Sequence, residues 1–312
     1  MYVLIKLLAV ARTRLALRKF LRSLDPSIVI CLLDIGSIGG PKGRWRLIPG
    51  RVHTVGFDPR EQCATDEPGR TVVPCAVGRN EDVVDFYVTH TGNMSSTLPP
   101  NTEVLYRFQD RACKMEVMRA ERLSVAPLDT VAADIAADAI KVDVQGAELD
   151  VLAGAERVLQ SGILLAEIEV SFIERYRGQP LADEVICFMR QRGFDLIDLY
   201  QVRRYYRTNA RRVRKFAIIK DSRSGQLAYA DAVFFVSDVR FQAMVTKLRS
   251  RERSILIVKA ILLLTVYGKF DRALQLFEEY ATALDPFMRE ALNPFVATFP
   301  TSRKRSSAER RP

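Results

Sequence analysis

The chain has 312 residues, 48% hydrophobic and 27% charged, enough to bury one sizeable core with a smaller region beside it. Lys and Arg number 47 against 37 Asp and Glu, a formal charge of +10 that favours an anionic partner or simply keeps solvated faces soluble. Five cysteines without C-x-x-C spacing or histidine neighbours exclude a zinc finger and a secreted disulfide framework, and they suit a cytoplasmic protein.

The first 26 residues read as a basic amphipathic helix, with Leu4, Leu8, Ala11 and Leu15 on one stripe and Arg12, Arg14, Arg18, Lys19 and Arg22 around it. Its positive residues follow the apolar stretch, the reverse of a signal peptide, and the stretch is too short to span a bilayer. Packing on the domain edge is the expected role, and peripheral contact with an anionic membrane surface the alternative.

Residues 27–238 then alternate apolar runs with helical periodicity, which predicts an α/β domain. Strands are expected over 27–33, 52–57 and 72–77, ending at Asp34, Asp58 and Gly78 respectively. A hairpin with a long loop is expected from the runs 83–88 and 117–125. A strand over 139–144 leads into one helix carrying Leu149, Leu152, Ala155 and Leu159. Further strands fall at 163–170, 196–200, 216–219 and 232–236, with a helix at 181–192. Residues 239–299 read as a C-terminal helical extension, its run 255–267 a buried helix, and residues 300–312 as a disordered basic tail.

Chemistry gathers at the strand ends. Asp34-Ile35-Gly36-Ser37-Ile38-Gly39 is a glycine-rich turn after a first strand, where a cofactor can approach the backbone closely. A dinucleotide site has glycine at the first position; the Asp34 anion repels pyrophosphate and suits an ammonium-bearing cofactor end, as in S-adenosylmethionine. Asp58 ends the next strand, where such folds place the carboxylate that accepts from ribose hydroxyls. Ala76 and Val77, before Gly78, would lie beside the adenine. Lys141, Asp143 and Gln145 would share one strand side. This set is either an internal Lys141–Asp143 pair or, as favoured, a pocket for cofactor and acceptor.

These segments, with Asn93-x-Ser95-Ser96, Leu128-Asp129-Thr130, Lys141-Val-Asp143-Val-Gln145-Gly-Ala-Glu148 and Leu152-x-Gly154-Ala155, stand in the order seen in FkbM-type methyltransferases, which the chain resembles over roughly residues 28–236. The resemblance implies a class I, Rossmann-like doubly wound, mostly parallel sheet. It also implies S-adenosylmethionine as cofactor and a hydroxyl on a sugar, glycan or other small metabolite as methyl acceptor; from the residues themselves no metal is expected. Members commonly carry Ala-Asn where Ser37-Ile38 stand and Glu where Asp58 and Gln145 stand.

An alcohol needs its proton removed before it attacks, so a general base is expected. Asp143 is the first candidate, with Glu148 and Glu169 as alternatives; Glu148 could equally serve the helix dipole. His90, Asn93, Ser95, Ser96 and Gln145 are candidate acceptor contacts. Nucleic acid is the runner-up substrate, through Arg203, Arg204, Arg207, Arg211, Arg212, Arg214 and Lys215 with Tyr205 and Tyr206 between them, although no D/N-P-P-Y/F signature is present. A non-catalytic binding module is the third reading. The oligomeric state is open.

Overall fold

The computed structural model describes residues 2–36, 40, 43–61, 64–214 and 223–299. The chain divides into two compact units, one of Met1–Val29, Lys42–Arg51 and Met244–Pro312, the other of Ile30–Pro41 and Val52–Ala243. The expected strand at 216–219 and the tail beyond 300 lie outside the described residues.

The first unit opens with α1 (Tyr2–Ser23). The side chains of residues 2–7, Leu4 of the expected stripe among them, lie outside the described ones; among the rest, Leu17, Phe20, Leu21 and, just past the helix end, Leu24 are buried, and the Phe20 ring stacks on Phe295 at 5.8 Å. The packed stripe is therefore not the one expected. Leu8 and Leu15 are 62% and 57% exposed, because the larger Phe20 and its neighbours on the opposite side bury more surface. Arg51 closes the helix end by donating to the carbonyls of Leu21 at 2.6 Å and Leu24 at 2.8 Å, two of the acceptors a helix leaves open at its C-terminus.

Among the described residues, the second unit holds eleven strands: β1 (Ile30–Ile35), β2 (Val52–Phe57), β3 (Thr65–Glu67), β4 (Arg70–Val73), β5 (Ala76–Gly78), β6 (Asp82–Thr89), β7 (Val117–Pro127), β8 (Ala139–Val142), β9 (Leu165–Ser171), β10 (Phe194–Tyr205) and β11 (Gln226–Val236). Eight form one sheet in the order β10-β11-β9-β8-β1-β2-β4-β3. The five central strands β9, β8, β1, β2 and β4 run parallel, and β11 runs antiparallel between β9 and β10. β9 is buried along its whole length, which is why it reads as an unbroken apolar run interrupted only by glutamates that find partners. β5, β7 and β6 make a second, three-stranded sheet, and the antiparallel β6–β7 pair is the expected hairpin.

The helices of this unit are α2 (Thr102–Leu105), α3 (Leu128–Val131), α4 (Glu148–Ala153), α5 (Glu156–Ser161) and α6 (Ala182–Gln191). After β11 follow α7 (Asp238–Lys247), α8 (Ser250–Val266), α9 (Phe270–Tyr280) and α10 (Pro286–Val296), the C-terminal helices. α8 is the expected buried helix, with Ile257, Ile261 and Leu264 fully enclosed. No helix among the described residues is long and apolar enough to cross a membrane. The whole is the expected α/β fold: a large, mostly parallel sheet with helices.

Two elements differ from expectation. The strand expected over 72–77 breaks at Pro74, which has no N–H for the ladder. β4 stays in the large sheet, and β5 leaves it to pair in parallel with β7. The single helix expected after β8 is two, α4 and α5, parted at Gly154-Ala155. A Cβ on Gly154 would lie 2.1 Å from the Gly78 carbonyl oxygen, so the break lets the chain pass against the end of β5. Asp129 then caps α5 by accepting from the N–H groups of Arg157 and Val158, each at 2.9 Å.

Candidate functional site

The parallel strands β1, β2 and β8 bring their carboxyl ends together, the side of an α/β sheet where ligands bind. Gly36 follows β1 with φ +83, donates its N–H to the Phe57 carbonyl at 2.8 Å, and passes so close to β8 that a Cβ would sit 2.0 Å from the Asp143 oxygen. Only glycine fits there. The crossing opens a cleft of about 530 Å³, counting its mouth. Phe57, Phe86 and Leu123 give it apolar walls, and Asp58, Asp143, Gln145, Ser95 and Thr97 give it polar ones. Gly36, Ala76 and Val77 also line it.

Asp58, 1% exposed, is held by Arg60. The guanidinium donates from Nε to Oδ1 at 3.0 Å and from NH2 to Oδ2 at 2.9 Å, and the Arg60 backbone N–H donates to Oδ1 at 2.9 Å. The remaining NH1 donates to the Gly92 carbonyl at 3.0 Å, tying the end of β2 to the turn before Ser95. A carboxylate has about four acceptor positions, so one remains for a ligand hydroxyl. Arg60 was not singled out in the sequence; its one signal is a fork-shaped donor two residues after a strand-ending aspartate.

Asp34 is placed differently from the other aspartates. It is 1% exposed, does not line the cleft, and faces Lys141 beside it in the β1–β8 ladder, Nζ to Oδ1 3.4 Å. Lys141 also lies 3.7 Å from Asp143 Oδ2. Burial works against its charge, but Asp34, Asp143 and Glu167 outweigh it, and the ammonium is held well above the usual lysine range. Lys141 is thus ion-paired with Asp34 and Asp143, and Asp143 also lines the cleft.

β8 ends at Val142, so Gln145 does not continue a strand face. It turns through a left-handed conformation, φ 59, costly for a residue with a Cβ. Its amide nitrogen donates to Asp143 Oδ1 at 2.8 Å and to Glu169 Oε1 at 3.3 Å, and its carbonyl lies 3.3 Å from the Tyr176 hydroxyl. Glu169 pairs with the buried Arg175. Glu148 accepts from the N–H groups of Gly146 at 2.9 Å and Val144 at 3.2 Å. Asp143, Glu148 and Glu169 bring oxygens within 4.8 Å of one another, and the Arg175 guanidinium supplies positive charge to the group. Burial, then the nearby Glu169 charge, raises the Glu148 carboxyl. Burial raises Glu169 as well, against the pull of Arg175. Glu148 and Glu169 are buried behind the cleft; Asp143 lines it.

The acceptor candidates separate. Ser95 and Gln145 line the cleft, as does Thr97 of the same loop. Ser96 is buried beside it, with its hydroxyl accepting from the Leu98 N–H. His90 and Asn93 are exposed and outside the lining. Ser37 and Gly39 lie outside the described residues.

Comparison with known proteins adds the lineage. No curated protein matches the chain. Among solved structures, the crystal structure of methyltransferase FkbM from Methylobacillus flagellatus KT is similar over 67% of this chain and 44% of that one, with 16% identity and a TM-score of 0.35. The chain thus spans less than half of that protein's length. The methyltransferase FkbM domain model matches residues 38–196, just over half of the 312 residues, including Asp58, Ala76, Asp143, Gln145 and Glu148. With that coverage, the chain belongs to the FkbM methyltransferase domain family.

Proposed function

We propose that the chain is an S-adenosylmethionine-dependent methyltransferase that methylates a hydroxyl group of a sugar, glycan or other small metabolite. The observation that carries this reading is the pair of carboxylates, Asp58 and Asp143, facing one apolar-walled cleft from the ends of β2 and β8, the strands on either side of β1. Its donor set suits the cofactor: Asp58 keeps an acceptor position for a ribose hydroxyl, and Phe57, Ala76 and Val77 offer a flat apolar edge for a purine. When bound, S-adenosylmethionine supplies an electrophilic methyl group on a sulfonium. Gly36 offers its backbone to the cleft, and the Asp34–Lys141 pair sets the local charge; Ser37 and Gly39, outside the described residues, are the other candidates for cofactor contact.

Asp143 takes the proton of the acceptor hydroxyl, its carboxylate oriented by Gln145 and Lys141. Glu169 and Glu148 act through this network as positioning residues, and Ser95 and Gln145 bind the acceptor, with Ser96 buried beside them holding the loop through Leu98; His90 and Asn93 would contact only an acceptor large enough to reach beyond the cleft. A cytoplasmic setting is supported by the four described cysteines, all free thiols.

Calorimetry and labelled-methyl transfer test this together. S-adenosylmethionine should bind, Asp58→Ala should weaken it at least about tenfold, and Asp143→Asn should bind normally while transfer falls about 100-fold. Absence of binding, or binding indifferent to Asp58→Ala, sinks the cofactor assignment. Full transfer by Asp143→Asn removes it as the base.

A further inference from the structure

We propose that α1 and the 43–47 turn of the first unit form a docking surface for an anionic phospholipid bilayer, a reading independent of the methyltransferase assignment. Helical spacing sets Leu8 and Leu15 on one line, opposite the buried Leu17, Phe20 and Leu21, and both leucines project into solvent. Arg12, Arg18, Lys19 and Arg22 flank that line and are exposed, and α1 contains no acidic residue. An apolar stripe edged by cations on a surface helix is the arrangement that lies in the headgroup region of a membrane.

A second observation sharpens the ligand. Arg14, Arg18, Arg44 and Arg46 line one hollow floored by Leu17 and Val266. Arg44 is held in place by stacking on the Tyr267 ring, 4.4 Å from its centroid. No acidic side chain among the described residues pairs with Arg14, Arg18 or Arg46. An apolar hollow on the Leu17 side of α1, reached past Arg14 and not from the Leu8–Leu15 line, shares Arg14, Leu17 and Leu47 with the first and is walled by Ala9, Val10 and Phe270. Phosphate-binding cations beside a hydrocarbon-lined recess match a phospholipid, whose charge and chains are joined in one molecule. A nucleic acid would match the arginines but leave the leucines and the apolar recess without partners.

The experiment is co-sedimentation of the full chain with vesicles of phosphatidylcholine containing about a third phosphatidylglycerol, against pure phosphatidylcholine, at low and high salt. Binding should require the anionic lipid and fall with salt. The Arg14→Ala/Arg18→Ala/Arg46→Ala variant should bind about a hundredfold more weakly. Leu8→Glu/Leu15→Glu should lose binding at least about tenfold, with the circular dichroism of both variants unchanged because these side chains are exposed. Equal binding to neutral vesicles, or wild-type binding by either variant, overturns the proposal. So does binding of single-stranded RNA without vesicle binding, or a dimer in ultracentrifugation that the leucine variant dissolves.

Discussion

Asp231 lies opposite Glu169 in the β9–β11 ladder. Burial, then the charges of Glu167 and Asp143, push its carboxyl up to about 6 from an ordinary 3.8, against the pull of Lys141 and a bond from Gln201. The folded state therefore holds the proton more tightly than the unfolded chain. The stability this gives is full below pH 3.8 and is lost as pH rises through about 6. Asp231→Asn keeps the shape of the protonated form, so it should match the wild type near pH 4 and exceed it at pH 8 by on the order of 1–3 kcal/mol. Urea unfolding at the two pH values measures this, and a pH-independent difference would count against it. At this scale the sequence located the aspartates but not their environments. Asp34, Asp58 and Asp143 all end strands, yet Asp34 is sealed against Lys141, Asp58 is gripped by Arg60, and Asp143 reaches the cleft. Arg60 could not be singled out, because which of many arginines meets a given carboxylate depends on rotamers.

Among the elements, the sharpest constraint is where α4 gives way to α5. Gly154 passes the Gly78 carbonyl with no room for a side chain, and its other near neighbours, the Arg79 oxygen and the Gly78 carbonyl carbon, are backbone too. Gly154→Ala must move β5, which carries Ala76 and Val77 into the cleft. A loss of about 1–3 kcal/mol in stability is expected, with weaker cofactor binding alongside it. A variant as stable as the wild type would show that β5 gives way freely. Periodicity alone joined α4 to α5 and β4 to β5, because the apolar spacing runs on through both breaks. The Pro74 break was visible as a residue without a donor, but the partner waiting for β5 was β7, about fifty residues away in sequence, and no local pattern names it.

For the whole molecule, linkage gives the broadest test of the functional reading. A ligand that binds only the folded state stabilises it through mass action, by about 2.7 kcal/mol at a hundred times its dissociation constant. S-adenosylmethionine at that excess should therefore raise the melting temperature by roughly 4 °C, and Asp58→Ala should show clearly less at the same concentration. No shift at any concentration would remove the cofactor from the proposal. The sequence by itself determined the α/β class, the parallel core strands, the helical C-terminal region and the family, since burial periodicity and short strand-end motifs are local properties. It could not decide which stripe of α1 is buried, that β5 leaves the main sheet, or which carboxylate faces the cleft. Those outcomes rest on contacts between residues far apart in the chain, where competing burial of larger side chains and the pairing of charges are settled only when the backbone closes on itself.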